Sequence, residues 1–191
     1  SRKIIDAAMH RLVFLVAPQD DVIGFEIRSL QEFMAAQAPF GGDTEEVAIR
    51  RLEAIASVAT WRNVLLFASG KCFAERRAAR DSLHRLCHEL NSSAEGALFR
   101  ATMLGSSVAL DMLDDGAARR IPKYACLLAE VAVRSIARQP HVDHVRLADL
   151  YTADVEDVYR EALLGALDTR DGVRPPGLWT VLTGLAARNI S

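Results

Sequence analysis

The sequence contains no long apolar run. Nowhere does it offer the roughly 18 consecutive apolar residues that a membrane-spanning helix requires. Its opening stretch, Ser1-Arg2-Lys3-Ile4-Ile5, is not expected to act as a secretory leader, because Asp6 and His10 interrupt any apolar segment. Cysteine is scarce: Cys72, Cys87 and Cys126 are an odd set in no framework spacing. That excludes a disulfide scaffold and leads us to expect reduced thiols and a cytoplasmic protein. Charge of one sign is also missing. The 23 basic and 25 acidic residues leave a net charge of −2 and no electrostatic footprint for nucleic acid or an anionic membrane. Finally, no pairing of a nucleophile with a base is apparent, so the chain is not expected to be an independent enzyme.

What is present is ordinary globular material: 191 residues, half of them hydrophobic and a quarter charged, enough for one large domain or two small ones. Helical periodicity dominates, and the expected fold is mainly α: an irregular array of stacked helix pairs with a small N-terminal β-hairpin. No fixed repeat length emerges, which argues against a regular solenoid. Residues 2–12 read as a helix, Leu12-Val13-Phe14-Leu15-Val16 as a strand or an extension of that helix, and Pro18-Gln19-Asp20-Asp21 as a turn. We expect helices over 44–59, 61–69, 73–90, 94–115, 123–138, 145–151, 153–168 and 178–188. Asp43 with Glu46, and Ser92 with Glu95, have the spacing of capping boxes. Gly70 reads as a C-terminal helix cap, and Gly105 as a kink or a close approach of a neighbouring helix. Pro122 suits a first helical position. Residues 1–40 and 41–191 form the expected organisation, with a sub-boundary near 91–93 and a linker-like stretch at 170–177.

The most informative stretch is 22–36. Ile23, Phe25 and Ile27 alternate with Gly24, Glu26 and Arg28, as in a strand with one apolar face. The period then changes, and Leu30, Phe33 and Met34 fall on one side of a helix. Ser29 and Glu32 have capping-box spacing at the switch: the Ser29 hydroxyl would accept from the Glu32 amide, and the carboxylate from the Ser29 amide. Downstream, Trp61 reads as an anchor between helices.

The run Phe25-Glu26-Ile27-Arg28-Ser29-Leu30-Gln31-Glu32-Phe33-Met34-Ala35-Ala36 resembles the end of the winged helix in NACHT-type STAND NTPases. Trp61-Arg62-Asn63-Val64-Leu65-Leu66-Phe67-Ala68-Ser69-Gly70 resembles the W-x-x-V-L-L-F-x-x-G helix often found downstream in that family. The likeness covers residues 10–72. It implies a non-catalytic regulatory arm of a signalling ATPase, in anti-phage or innate defence. Its partners would be an ATPase domain upstream of Ser1, further copies of itself on activation, and a protein ligand. ATP or ADP and magnesium are implied for that upstream domain; no cofactor is expected on this segment. The residues implied as a switch junction are Phe25, Ile27, Arg28, Ser29, Gln31, Glu32 and Phe33, with Trp61 as the helix anchor. Ile27 departs from the family, which often has a histidine there that touches the β-phosphate of ADP. Isoleucine donates no hydrogen bond, so no nucleotide contact is assigned to Ile27.

Other motifs carry less. Gly70-Lys71-Cys72 lacks both the first glycine and the hydroxyl of a P-loop. His84 and His88 stand at metal-pair spacing beside Cys87, but a closed zinc site needs four ligands. The run Arg76-Arg77-Ala78-Ala79-Arg80 has no interleaved aromatic and reads as a solvated face. The alternative to the regulatory arm is a helical protein-interaction scaffold with no nucleotide link. A winged-helix DNA regulator is disfavoured by the acidic balance.

Overall fold

The computed structural model describes residues 15–19, 22–25, 28–40, 44–92, 98, 101–137, 143–168 and 175–189. The expected helix over 2–12, together with Ile27, Asp43 and Glu95, lies outside them. Strands β1 (Leu15–Gln19) and β2 (Val22–Phe25) form an antiparallel hairpin. Leu15 stands opposite Phe25 and Val16 opposite Gly24, and the register slips before Gln19 meets Val22. Pro18 sits in that slip, where its missing N–H removes no ladder bond.

Helices supply the rest: α1 (Arg28–Ala35), α2 (Glu45–Ala56), α3 (Arg62–Glu75), α4 (Arg77–Ser92), α5 (Leu104–Asp114), α6 (Pro122–Val133), α7 (His144–Asp149), α8 (Glu156–Leu167) and α9 (Pro176–Asn189). The fold is thus mainly α, an irregular multi-helix array. Helix α5 is its middle, packed between α4 and α6; α8 covers α6, α9 lies on α7, and α1 and α2 rest on α3. One continuous core joins Leu52, Leu65, Phe73, Leu83, Val108, Met112, Leu128 and Ile136, all at most 1% exposed. Among the described residues no helix is long and apolar enough to cross a membrane.

Several boundaries differ from those the sequence suggested, each for a local reason. Gly70 does not end a helix: α3 runs through it to Glu75, because burying Cys72 and Phe73 completely outweighs the glycine's helix penalty of about 1 kcal/mol. The break falls instead at Arg76, whose backbone is no longer helical. Helix α4 continues to Ser92, whose hydroxyl donates back to the His88 carbonyl at 2.8 Å, so Ser92 finishes a helix rather than starting one. The expected helix over 94–115 is interrupted at Met103, in the left-handed region at φ 51°; α5 begins only at Leu104. Thr44, not Asp43, precedes the first turn of α2. Pro122 does open α6, and α7 is capped by Asp143, whose Oδ1 accepts from Val145 N at 3.1 Å and Arg146 N at 3.2 Å. Pro176 and Gly177, placed by composition in the 170–177 linker, are the first turn of α9.

Two polar assemblies lock the array. Where α4 crosses α5, Asn91 Nδ2 donates to Ser106 Oγ at 3.0 Å, Ser106 N to Asn91 Oδ1 at 3.1 Å, and Ser106 Oγ to the Val131 carbonyl of α6 at 2.6 Å. Every partner in this buried chain is satisfied. Closer to the surface, Asp111 of α5 takes Arg62 of α3 on Oδ2 and Arg146 of α7 on Oδ1. Arg146 also reaches Asp114 at 2.8 Å.

Candidate functional site

Helix α1 inverts the usual polarity of a packed helix. Glu32 is its buried residue, at 9% exposure, whereas Phe33 and Met34 are 47% and 50% exposed. A buried carboxylate must be paired to be tolerated. Oε1 of Glu32 accepts from Arg28 Nε at 3.0 Å, and Oε2 from Asn63 Nδ2 of α3 at 2.9 Å. Both oxygens are therefore engaged away from the Ser29 amide, and the expected capping box is not what Glu32 makes. Because α1 already starts at Arg28, Ser29 lies inside its first turn, exposed.

Phe33 turns outward onto Phe67 of α3, edge to face, with ring centroids 5.8 Å apart. At the far end of α1, Lys71 of α3 donates to Gln37 Oε1. Lys71 Nζ and the Arg76 guanidinium also lie over the Phe40 ring, at 5.7 and 4.8 Å. Trp61 is not a core residue. It stands 45% exposed on the short 3-10 turn Ala59–Trp61, beside a groove of about 320 Å³ lined by Arg28, Gln31, Glu32, Ala35, Thr60, Trp61 and Val64.

The structure thus gathers Arg28, Gln31, Glu32 and Trp61 at one groove, leaves Phe33 on its outer flank with Phe67, and leaves Ser29 exposed. Phe25 contributes backbone pairing to Leu15 in the hairpin that feeds α1. Asn63 and Thr60 were not legible as site residues. A single amide within an apolar run carries no periodic signal, and its partner Glu32 is 31 residues away.

Elsewhere the chemistry is quiet. Burial pushes the Cys72 and Cys87 thiols up to about 12, and burial with nearby Asp154 and Glu130 also raises Cys126. A thiolate nucleophile is therefore disfavoured at all three. Gly70 and Lys71 are mid-helix and cradle nothing. The His84 and His88 rings meet edge to face at 4.8 Å. The Arg134 guanidinium lies 3.0 Å from His88 Nδ1; since arginine only donates, Nδ1 is the acceptor and the ring is neutral with its proton on Nε2. Among the described residues no three His, Cys, Asp or Glu side chains converge as metal ligands. A larger cleft of about 590 Å³ separates α6 from α8, rimmed by Glu130, Asp157 and Glu161 with Arg134 facing them. It brings together no nucleophile and base. No protein-family model, curated protein or solved structure matches the chain.

Proposed function

We propose that this chain is a non-catalytic regulatory arm of a NACHT-like STAND ATPase, working in the cytoplasm in anti-phage or innate defence. It couples the nucleotide state of an upstream ATPase domain to a protein ligand and to homo-oligomerisation. ATP or ADP with magnesium belongs to that upstream domain. The observation that supports the reading is the bond between Glu32 and Asn63. It ties the strand–helix stretch to the tryptophan-led helix, the two segments that carry the family resemblance. A displacement of the β2–α1 junction is then felt directly by α3. Such a device works by shifting between two packings and needs no catalytic group here.

The test is the open reading frame around this chain, followed by nucleotide analysis of the full-length protein. A G-x-x-x-x-G-K-[ST] loop and an acidic Walker B strand upstream of Ser1, with ADP co-purifying, is the expected result. In that protein Glu32→Ala should speed ADP release, and Ile27→His should slow it. An open reading frame with no P-loop overturns the proposal.

A helical protein-interaction scaffold is the second reading. The exposed edge-to-face pair of Phe33 and Phe67 favours it, because exposed large apolar side chains in contact with one another mark contact surfaces.

A further inference from the structure

Helix α9 lies on α7 through two glycines seven residues apart. A Cβ on Gly177 would stand 2.4 Å from His144 Nε2, and one on Gly184 would stand 2.6 Å from the Ala148 Cβ. His144 and Ala148 are themselves one helical turn apart, so the glycine face of α9 matches one face of α7. Leu178 and Val181 are completely buried, and Arg188 Nη1 donates to the Ala148 carbonyl at 2.6 Å.

The imidazole in that seam is unusual. His144 is 7% exposed, and its Nε2 has no hydrogen-bond partner. The Ser135 carbonyl and the Asp143 charge both favour a proton on the ring; with Nε2 bare against Gly177, that first proton is assigned to Nδ1. A second proton would have to go on Nε2, where it would meet glycine backbone rather than an acceptor. Among the described residues, the charged groups around the seam do not supply one. Asp143 caps α7 through its Oδ1, and Arg146 is held by Asp111 and Asp114. Asp149 is exposed on the far end of α7, Arg134 is engaged by His88, and Arg188 adds positive charge from α9.

We propose that the α7–α9 seam is an acid-sensitive clasp: neutral His144 lets α9 seat, and protonation of Nε2 releases α9 and its apolar face of Leu178, Val181, Leu182 and Leu185. The inference does not depend on the nucleotide-switch reading. Burial, as the leading cause, lowers the docked His144 pKa below its ordinary value. Docking is therefore fully supported above about pH 6.5 and lost as pH falls through that value toward the docked pKa. If the docked ring takes no proton in the window, the undocking constant rises about tenfold from pH 7.5 to 5.5.

The experiment is hydrogen exchange read by mass spectrometry across that pH range, with each rate divided by its intrinsic chemical rate. The expected result is a corrected rise approaching tenfold in α9 peptides, absent from α1 peptides and absent from α9 in His144→Gln. As a geometric counterpart, Gly177→Ala should open α9 already at pH 7.5. A second measurement covers the case in which His144→Gln fails to fold: in Trp61→Phe, Trp179 is the only tryptophan, and its anisotropy should fall over the same pH interval. A corrected α9 exchange that changes less than about twofold, or that rises equally in His144→Gln, overturns the clasp. So does a flat Trp179 anisotropy.

Discussion

Gly105→Ala is the sharpest perturbation the array offers. Both Gly105 and Gly70 lie inside helices, so helix propensity alone predicts that alanine at either position stabilises by about 1 kcal/mol. Their surroundings differ completely. A Cβ on Gly70 meets nothing within 4 Å, whereas one on Gly105 would stand 1.8 Å from the Cys87 carbonyl oxygen and 2.8 Å from Asn91 Oδ1. The first of those atoms is backbone, so no rotamer change relieves the clash; α5 must retreat from α4 by more than ~1 Å to restore ordinary contact. That retreat pulls Ser106 away from Asn91, whose two bonds are 3.0 and 3.1 Å long, and strains the bond to the Val131 carbonyl. Overpacking costs about 1–3 kcal/mol, and leaving a buried polar group unpaired costs a further ~1–3 kcal/mol. Offset by the propensity gain, Gly105→Ala should destabilise by roughly 1–5 kcal/mol. Gly70→Ala should instead stabilise by about 0.5–1 kcal/mol. Urea unfolding followed by circular dichroism at 222 nm measures both. A Gly105→Ala loss below about 1 kcal/mol, or the same sign of change at both glycines, would refute the close crossing of α4 and α5.

Other positions give independent checks. Asp111→Ala leaves Arg62 and Arg146 without their shared carboxylate; a loss of about 2–4 kcal/mol in urea is expected, against less than 1 kcal/mol for Glu89→Ala, whose partner Arg85 is exposed. Burial first, then Arg134 beside His88, holds His84 and His88 below the ordinary histidine range, although Glu130 and Asp81 oppose this at His84. The α4–α6 seam should therefore be fully stable above about pH 6.5 and weaken as pH falls through that value, and a His84→Gln/His88→Gln double variant should flatten the midpoint-versus-pH curve. Ellman's reagent at pH 8 should find Cys72 and Cys87 unreactive in the folded protein, since burial pushes both thiols up to about 12, and all three cysteines reactive in 6 M guanidinium. Rapid labelling of two or more thiols under native conditions contradicts that burial.

The sequence disclosed helices wherever burial and period agreed. In α6, Leu128, Ala129, Val131 and Ala132 are buried at helical spacing, and Pro122 marks the start as its missing N–H dictates. Gly105 could be read as a close-approach residue because a glycine inside an apolar helical run needs a reason. What stayed hidden were features decided by partners far away in the chain. Gly70 carries a local stop signal and Ser92 a start signal, yet α3 runs through the first and α4 ends on the second. Trp61 and Trp179 are among the most apolar side chains, yet at 45% and 49% exposure neither fills the core; Leu178 and Val181 take the inward places of α9 instead.

Helix α1 shows why the candidate site was legible as a motif but not as a geometry. Eight residues are too few to hold a helix in water without tertiary support. Hydrophobic period placed Leu30, Phe33 and Met34 inside, but the chain buries Glu32 and turns Phe33 onto Phe67. Only a partner for the carboxylate makes that arrangement tolerable, and Asn63 is the one that crosses from α3. Asn63→Ala therefore tests the junction more directly than any aromatic substitution. It removes one of two bonds to a buried carboxylate, which costs about 1–3 kcal/mol, while Arg28 keeps the other oxygen engaged. Because α1 touches α3 more than any other helix, the loss should appear as faster amide exchange in α1 with the α4–α5–α6 centre unchanged. Asn63→Asp places a second carboxylate beside Glu32 and should loosen α1 further, with partial recovery on acidification as the pair takes up a proton. If instead α1 and the centre loosen together in both variants, the junction is part of one cooperative core, and α1 cannot move on α3 without unfolding the array.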